Sequence, residues 1–128
     1  MRILLAEDEA RVRSAISLLL CQEPDIIIVG EAENLKTALA LAARQHPHVV
    51  LLDWELPGLC ARTVVQALRA VQPSIAIIAL SGRPESRPAA LQAGADAFIS
   101  KYDPPELLRS AIGRYRSALA PCLQPNRN

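Results

Sequence analysis

The segment HPHVVLLDWELPG, residues 46–58, gives the clearest indication of the fold. Four consecutive apolar residues, Val49 to Leu52, have the unbroken hydrophobicity of a strand that is buried on both faces. The run ends on Asp53, and Pro57-Gly58 marks a turn shortly after it. Strands of this kind belong to parallel sheets covered by helices on both sides. The question is whether Asp53 only terminates the strand or is the reactive group of the protein.

The rest of the chain alternates between similar apolar runs and helical patterns. The runs that predict strands are 2–6, 25–30, 48–53, 74–80 and 97–100. Between them, apolar residues recur every three or four positions, which is typical of helices packed by one face. An alternation of strands and helices implies right-handed crossovers. The sequence therefore predicts an α/β fold: a (βα)5, doubly wound parallel five-stranded sheet with helices on both faces.

Local signals predict several helix limits. Asn34 is expected to cap the second helix, and Asp103, followed three residues later by Glu106, is expected to cap the fifth. The segment RPESRPAALQAG, residues 83–94, contains two prolines. Only its second half, ending at Gly94, is therefore predicted to be firmly helical.

Composition indicates one globular domain inside the cell. The chain has 128 residues, is 51% hydrophobic and 21% charged, and carries a net charge of +1, which gives no long-range attraction to nucleic acid or membrane. The start, MRILLAEDE, is too acidic for a signal peptide, and no apolar run reaches the length of a membrane span. Cys21, Cys60 and Cys122 are widely spaced, which favours free thiols over a disulfide or zinc site. A cytoplasmic location is expected.

Polar side chains follow the predicted strands. Glu7-Asp8-Glu9 follow the first strand, Asp53 the third, Ser81-Gly82 the fourth and Ser100-Lys101 the fifth. Ligands of open α/β sheets bind outside the carboxyl ends of the strands, at the point where the strand order reverses. If the first and third strands are neighbours there, Glu7, Asp8 and Asp53 converge, and the second strand lies toward an edge. Carboxylates that converge repel one another, and Mg²⁺ with room for a phosphate resolves the repulsion better than a calcium cage.

The Ser81 hydroxyl and the Lys101 ammonium add a donor and a positive charge to this group. Together with carboxylates and a metal, they suit a phosphoryl group in transfer, with Asp53 as the nucleophile that forms an acyl phosphate. Each residue alone has a structural alternative. Asp53 is a common strand terminator, residues 7–9 could be the acidic first turn of a helix, Ser81-Gly82 could be a loop, and Lys101 could be solvated. The hypothesis rests on their joint position at four carboxyl ends.

The sequence resembles the receiver domain of bacterial two-component response regulators, most of all those that precede a helix-turn-helix output domain. The resemblance is carried by LLAEDE (4–9), VVLLDWELPG (49–58), IIALSG (77–82) and AGADAFISK (93–101). It covers about residues 2–118, and it implies a flavodoxin-like receiver domain at 1–119 followed by a short tail at 120–128.

The resemblance also implies roles for single residues. Asp53 accepts a phosphoryl group from a histidine kinase or phosphotransfer protein. Asp8, Asp53 and the main-chain carbonyl of Glu55 ligate Mg²⁺, and Glu7 assists through water. In this pattern Lys101 pairs with the phosphate.

The switching residues implied by the resemblance are Ser81 and Phe98. Ser81 hydrogen-bonds the phosphoryl group and moves toward it on activation, and Phe98 turns inward as Ser81 moves. Glu55 and Arg83 flank the acyl phosphate, and we hypothesise that they tune its lifetime through the attacking water. No role is assigned to Trp54.

The implied protein is a signalling domain rather than an enzyme, although it takes part in its own phosphorylation and dephosphorylation. Its fourth helix, fifth strand and fifth helix form the signalling surface. A homodimer would use that face or the first and fifth helices. The output is expected to be transcription, with DNA contacted only by an output domain absent from this chain, which is either a stand-alone receiver or part of a longer regulator. No membrane partner is expected.

Three other classes fit less well. Phosphatases and mutases with an Asp nucleophile resemble a DxD pattern with a second Asp as acid, whereas the third residue here is Glu55. A dinucleotide-binding enzyme needs a glycine-rich turn after the first strand, and none is present. A degenerate receiver that only binds partners is disfavoured by the intact set Asp8, Asp53, Ser81 and Lys101.

Overall fold

Five strands form one parallel sheet in the computed structural model, which describes residues 1–123 without the side chains of 61, 62 and 117–123. The strands are β1 (Arg2–Ala6), β2 (Ile27–Ala32), β3 (Val49–Asp53), β4 (Ala76–Ser81) and β5 (Ala97–Ser100). The helices are α1 (Ala10–Cys21), α2 (Leu35–Gln45), α3 (Ala61–Val71), α4 (Arg87–Ala93) and α5 (Pro105–Leu123). The order β2-β1-β3-β4-β5 confirms the doubly wound α/β prediction, with β1 beside β3 and β2 at an edge.

Alternate side chains of the central strands pack into two separate hydrophobic cores, one on each face of the sheet. On β3, Val50 and Leu52 join a cluster with residues of α2 and α3, whereas Val49 and Leu51 join one with residues of α1 and α5. All residues of β3 and β4 are buried. The unbroken apolar runs in the sequence therefore reflect a sheet covered on both faces.

Two of the predicted helix limits are confirmed. The Asn34 side chain caps α2 by accepting a hydrogen bond of 2.8 Å from the Thr37 amide. In the segment 83–94 a 3₁₀ turn, Pro84–Ser86, precedes the short helix α4. The C-cap of α4 is Gly94, whose φ is 111°. A glycine suits this left-handed position, and a Cβ there would also lie 3.0 Å from Val65 Cγ1.

The predicted cap at Asp103 is wrong. Helix α5 begins at Pro105, and the Asp103 carboxylate instead accepts a hydrogen bond of 2.9 Å from the Ser100 amide. The side chain thus closes the loop between β5 and α5 on the strand side, because a short acidic side chain can satisfy whichever nearby amide the loop directs toward it.

Helix α5 continues to Leu123, so the first residues of the segment predicted as a tail are helical. Residues 124–128 lie outside the described part of the chain, and the domain limit at 119/120 stays a prediction. Cys21 is an exposed free thiol, Cys60 is exposed, and the side chain of Cys122 lies outside the description. Within residues 1–123, none of the helices combines the length and the hydrophobicity of a membrane span.

Candidate functional site

The strand registers bring the polar residues of four carboxyl ends to one place. Ala6 at the end of β1 lies beside Leu52 of β3, so Glu7 emerges next to Asp53. Asp53 lies beside Leu80 of β4, and Ser81 beside Ser100 of β5, so Lys101 follows on the far side. Glu7, Asp53 and Ser81 are fully buried, which is unusual for side chains of this polarity.

Three carboxylates form the centre of the site. One oxygen each from Glu7, Asp8 and Asp53 lies within 4.8 Å of the others, with Asp8 exposed at the mouth and the other two buried. Two of the carboxylates accept a hydrogen bond from the amide two residues further along the chain. Glu7 Oε2 accepts from the Glu9 amide at 3.0 Å, and Asp53 Oδ1 accepts from the Glu55 amide at 2.9 Å. Asp53 Oδ2 is buried and has no hydrogen-bond partner among the described residues.

Lys101 supplies positive charge to this group. Its Nζ atom lies 2.9 Å from Glu7 Oε1 and 3.3 Å from Asp53 Oδ1, and it donates a hydrogen bond of 3.2 Å to Glu7 Oε2. One ammonium among three carboxylates leaves an excess of acceptor oxygens. The donor set of hard oxygens fits a divalent cation such as Mg²⁺, and Asp53 Oδ2 has no partner within the described part of the chain.

The protonation of the site follows from its burial. Burial raises the pKa of Glu7 to about 7, and the Asp53 charge adds to the rise, while Lys101 and the Glu9 amide oppose it. Burial alone would lower the pKa of Lys101, but its hydrogen bond to Glu7 and the charge of Asp53 outweigh this, and the pKa is raised. Lys101 therefore stays an ammonium at neutral pH, whereas Glu7 exchanges its proton near neutrality.

Arg13 binds the main chain of Glu7. Its Nη1 donates a hydrogen bond of 2.8 Å to the Glu7 carbonyl, while Nε lies 3.4 Å from Glu31 Oε1 and Nη2 lies 3.2 Å from Glu33 Oε1. The guanidinium thus ties helix α1 to the end of β2 beside the site. Sequence reasoning missed Arg13, because its acidic partners are distant in the chain and only the fold brings them to it.

Ser81 does not contact Asp53 through any hydrogen bond in the described residues. Its hydroxyl donates to Glu55 Oε1 at 2.7 Å, with the Arg83 carbonyl as a longer contact at 3.3 Å, and it accepts from the Arg83 amide at 2.9 Å. The sequence analysis assigns Glu55 a main-chain metal contact and an effect on acyl-phosphate lifetime. The side-chain contact with Ser81 was not predicted.

Phe98 lies two residues before the end of β5, and Trp54 follows β3 directly. Phe98 is only 4% exposed, and its ring lies under the guanidinium of Arg87, whose carbon is 5.4 Å from the ring centroid. Arg87 Nη2 also donates a hydrogen bond of 3.2 Å to the Phe98 carbonyl.

The Trp54 amide donates to the Leu80 carbonyl at 2.7 Å, and the Trp54 side chain packs against the core on the α2 and α3 side. Trp54 thus extends the β3–β4 pairing by one residue past Asp53.

The alternative of an acidic first helical turn does not hold. Helix α1 begins at Ala10, after the acidic residues 7–9, and its first turn contains no acidic residue. Glu9 occupies the N-cap position but makes no side-chain cap hydrogen bond. The carboxylates of Glu7 and Asp8 therefore belong to the loop at the carboxyl end of β1.

A parallel β2-β1-β3-β4-β5 sheet with this acidic cluster defines a signalling domain of the two-component type. The chain belongs to the response regulator receiver domain family, whose model matches residues 3–113. The resemblance noted from the sequence is thereby confirmed, and so is its implication of a phosphorylation-dependent signalling domain; one matching relative is named a transcriptional regulatory protein.

Relatives with two kinds of name match the chain. The nitrate/nitrite response regulator protein NarL of Escherichia coli (strain K12) is 33% identical over 112 residues, which cover 86% of this chain and 52% of NarL. A protein-glutamate methylesterase/protein-glutamine glutaminase of Moorella thermoacetica is 38% identical over 112 residues, 84% of this chain and 26% of that protein. The chain thus spans about half, or less, of these relatives.

A solved structure agrees with the fold. The DNA-binding response regulator of the LuxR family from Staphylococcus aureus superposes with a TM-score of 0.78 at 28% identity. The superposition covers 89% of this chain and 97% of that one.

Proposed function

We propose that this chain is a phosphorylation switch whose acceptor is Asp53. The observation that carries the proposal is a fully buried carboxylate at the end of a central strand, with one oxygen lacking any donor among the described residues and an ammonium 3.3 Å from the other. In the proposed step an Asp53 oxygen forms a bond to phosphorus as the N–P bond of a phosphohistidine breaks. The imidazole leaves with the electron pair. The donor is a histidine kinase or a phosphotransfer protein.

The reaction is proposed to depend on Mg²⁺. Asp8, Asp53 and the main-chain carbonyl of Glu55 would hold the ion, and Glu7 would act through water. When bound, the ion neutralises the negative charge that otherwise keeps a phosphoryl group away from the carboxylates. Lys101 supplies the remaining positive charge, and the Glu55 amide keeps Asp53 Oδ1 in place.

Signalling follows from a rearrangement around the new phosphoryl group. Ser81 donates its hydroxyl to a phosphoryl oxygen, and the loop after β4 moves with it. Phe98, which is buried beside this loop under Arg87, is the proposed second switching residue. The output face consists of α4, β5 and α5, and a homodimer would use this face or α1 and α5.

The proposed output is transcription, because relatives of this chain include regulators named for nitrate response and DNA binding. DNA contact would be made by an output domain outside these residues, in the cytoplasm. The chain would not turn over a substrate beyond its own phosphorylation and dephosphorylation. Glu55 and Arg83 lie beside the acceptor loop, and their proposed effect on acyl-phosphate lifetime is tested by dephosphorylation rates of alanine variants.

The acceptor is tested by intact mass. Incubation with Mg²⁺ and acetyl phosphate is expected to add one phosphoryl group to the wild type and none to Asp53→Asn. Asp25→Asn is the matched control, because Asp25 pairs with Arg116 at the opposite end of the sheet, and it should keep the gain. A wild type that gains no mass with Mg²⁺ would instead be a degenerate receiver that only binds partners.

A further inference from the structure

The Ser81 hydroxyl has a single proton, and in this structure that proton is engaged. Ser81 is fully buried, and its hydroxyl donates to the Glu55 carboxylate at 2.7 Å while accepting from the Arg83 amide at 2.9 Å. The proposed function needs the same proton for a phosphoryl oxygen on Asp53. The two acceptors cannot both receive it.

We infer that the Glu55 side chain is a positioning residue that holds Ser81 away from the acceptor before phosphorylation. A phosphoryl group on Asp53 then has to compete with the Glu55 carboxylate for the Ser81 proton. The inference rests on the proposed function of Asp53, and it adds a restraint on the switch that is distinct from any effect of Glu55 on the attacking water.

The contacts of Glu55 support its role in restraining Ser81. Its amide is fixed to Asp53 Oδ1 at 2.9 Å, so the acceptor and the restraint share one turn. Glu55 is an exposed residue, yet its carboxylate reaches a buried hydroxyl instead of solvent. Hydrogen bonds to a charged acceptor are among the stronger ones in proteins, and loss of one is expected to change an equilibrium by about 10-fold or more.

The first test compares two substitutions at one position. The probe is beryllofluoride, a phosphoryl mimic, titrated with saturating Mg²⁺ and followed by the fluorescence of Trp54, the single tryptophan of the chain. Glu55→Ala is expected to tighten beryllofluoride binding by about 10-fold. Glu55→Gln should tighten it less, because the amide oxygen still accepts the hydroxyl but without charge. Glu85→Ala removes another exposed carboxylate, in the 3₁₀ turn after β4, and should bind beryllofluoride as the wild type does.

The second test separates the hydrogen bond from simple charge repulsion. In a Ser81→Ala background the gain from Glu55→Ala should disappear, since no hydroxyl remains to be released. An undiminished gain in that background, or equal gains for Gln and Ala, would mean repulsion alone and would overturn the inference. If Ser81→Ala does not fold, the contrast between Gln and Ala still decides.

Mg²⁺ affinity without beryllofluoride is measured for each variant, so that beryllofluoride affinities are compared at equal Mg²⁺ occupancy. Failure of this inference is distinguishable from failure of the proposed function. A wild type that gains no phosphoryl mass removes the function itself. A wild type that does gain it, with Glu55→Ala binding beryllofluoride as the wild type does, removes only the restraint.

Discussion

The two ends of the sheet treat polar side chains in opposite ways. At the amino end, the Arg2 side chain donates to the Gln45 carbonyl, the Arg2 amide donates to His48 Nδ1 at 2.9 Å, and the Met1 ammonium donates to the Asp25 carbonyl. The cations of Arg2 and Met1 thus have neutral main-chain acceptors, and the Arg116 guanidinium pairs with the Asp25 carboxylate. At the carboxyl end, buried carboxylates crowd around one lysine, and Asp53 Oδ2 has no partner among the described residues.

This comparison distinguishes polar contacts that stabilise the fold from polar groups that are arranged to bind another molecule. At the amino end, Arg2 and Met1 donate to neutral carbonyls and Arg116 pairs with one carboxylate, so these contacts leave no excess of like charges. The carboxyl end retains repulsion that a well-packed apolar residue would remove, and such retained instability is typical of a site arranged for another molecule. Perturbing each end should therefore have different consequences.

Removal of Lys101 should have the largest effect on stability. Lys101→Ala strips the ammonium from two buried carboxylates, and an uncompensated buried charge costs about 3–4 kcal/mol. The loss is measured by urea unfolding without metal, and added Mg²⁺ should restore part of it because the ion supplies replacement charge. Equal stability of variant and wild type in metal-free buffer would show that the crowded end is not electrostatically strained.

Glu7 should make stability fall as the pH rises. Its pKa in the folded protein is raised to about 7 from 4.5, so the folded state binds more protons than the unfolded state between these values. Its contribution is fully present below about pH 4.5 and is lost as the pH rises through about 7, a loss of about 1–3 kcal/mol. Unfolding of the metal-free protein across this range measures it, and Glu7→Gln should flatten the dependence.

The amino end should respond to pH in the opposite sense within the same titration. Burial lowers the pKa of His48, and the charges of the amino terminus and Arg2 add to the fall. Protonation of His48 therefore opposes folding, and its contribution decreases as the pH falls below about 6.5. In Glu7→Gln this remaining slope should be visible, and a slope that still falls toward high pH would contradict the assignment to Glu7.

The smallest effect is expected from His48→Ala. The substitution leaves the Arg2 amide without its side-chain acceptor, a loss of about 1 kcal/mol in the free energy of unfolding. His48→Asn, whose side-chain oxygen can replace Nδ1, should recover part of it. Phosphorylation of Asp53 from acetyl phosphate should be unchanged in both variants, and a reduced yield would show that the two ends are coupled.

The fold could be predicted because its signals are local or periodic. The apolar run before Asp53 indicates a central parallel strand, and Asn34 marks the start of α2, as observed. The convergence of residues after β1 and β3 followed from the general rule for open α/β sheets. The prediction for Asp103 is wrong because a cap and a loop-closing carboxylate have the same sequence signal.

The side-chain contacts within the site could not be predicted in the same way. Glu55 reaches Ser81, and Arg13 reaches Glu31 and Glu33, only because loops from different strands meet at one edge. No periodicity encodes the direction of a side chain on such a loop. The sequence identifies the residues of the site, whereas the hydrogen-bond and ion-pair partners of these residues are known only from the structure.

The short length of helix α4 determines where local unfolding of the domain is easiest. It has seven residues, follows a 3₁₀ turn, and buries one residue, Ala90. A helix of this length is not stable by itself, and one buried methyl group anchors it weakly. Local unfolding should therefore require the least free energy here, with fast amide hydrogen exchange beside the slowly exchanging strands β3 and β4. The segment after Ser81 can rearrange while the sheet that carries Asp53 remains closed to solvent.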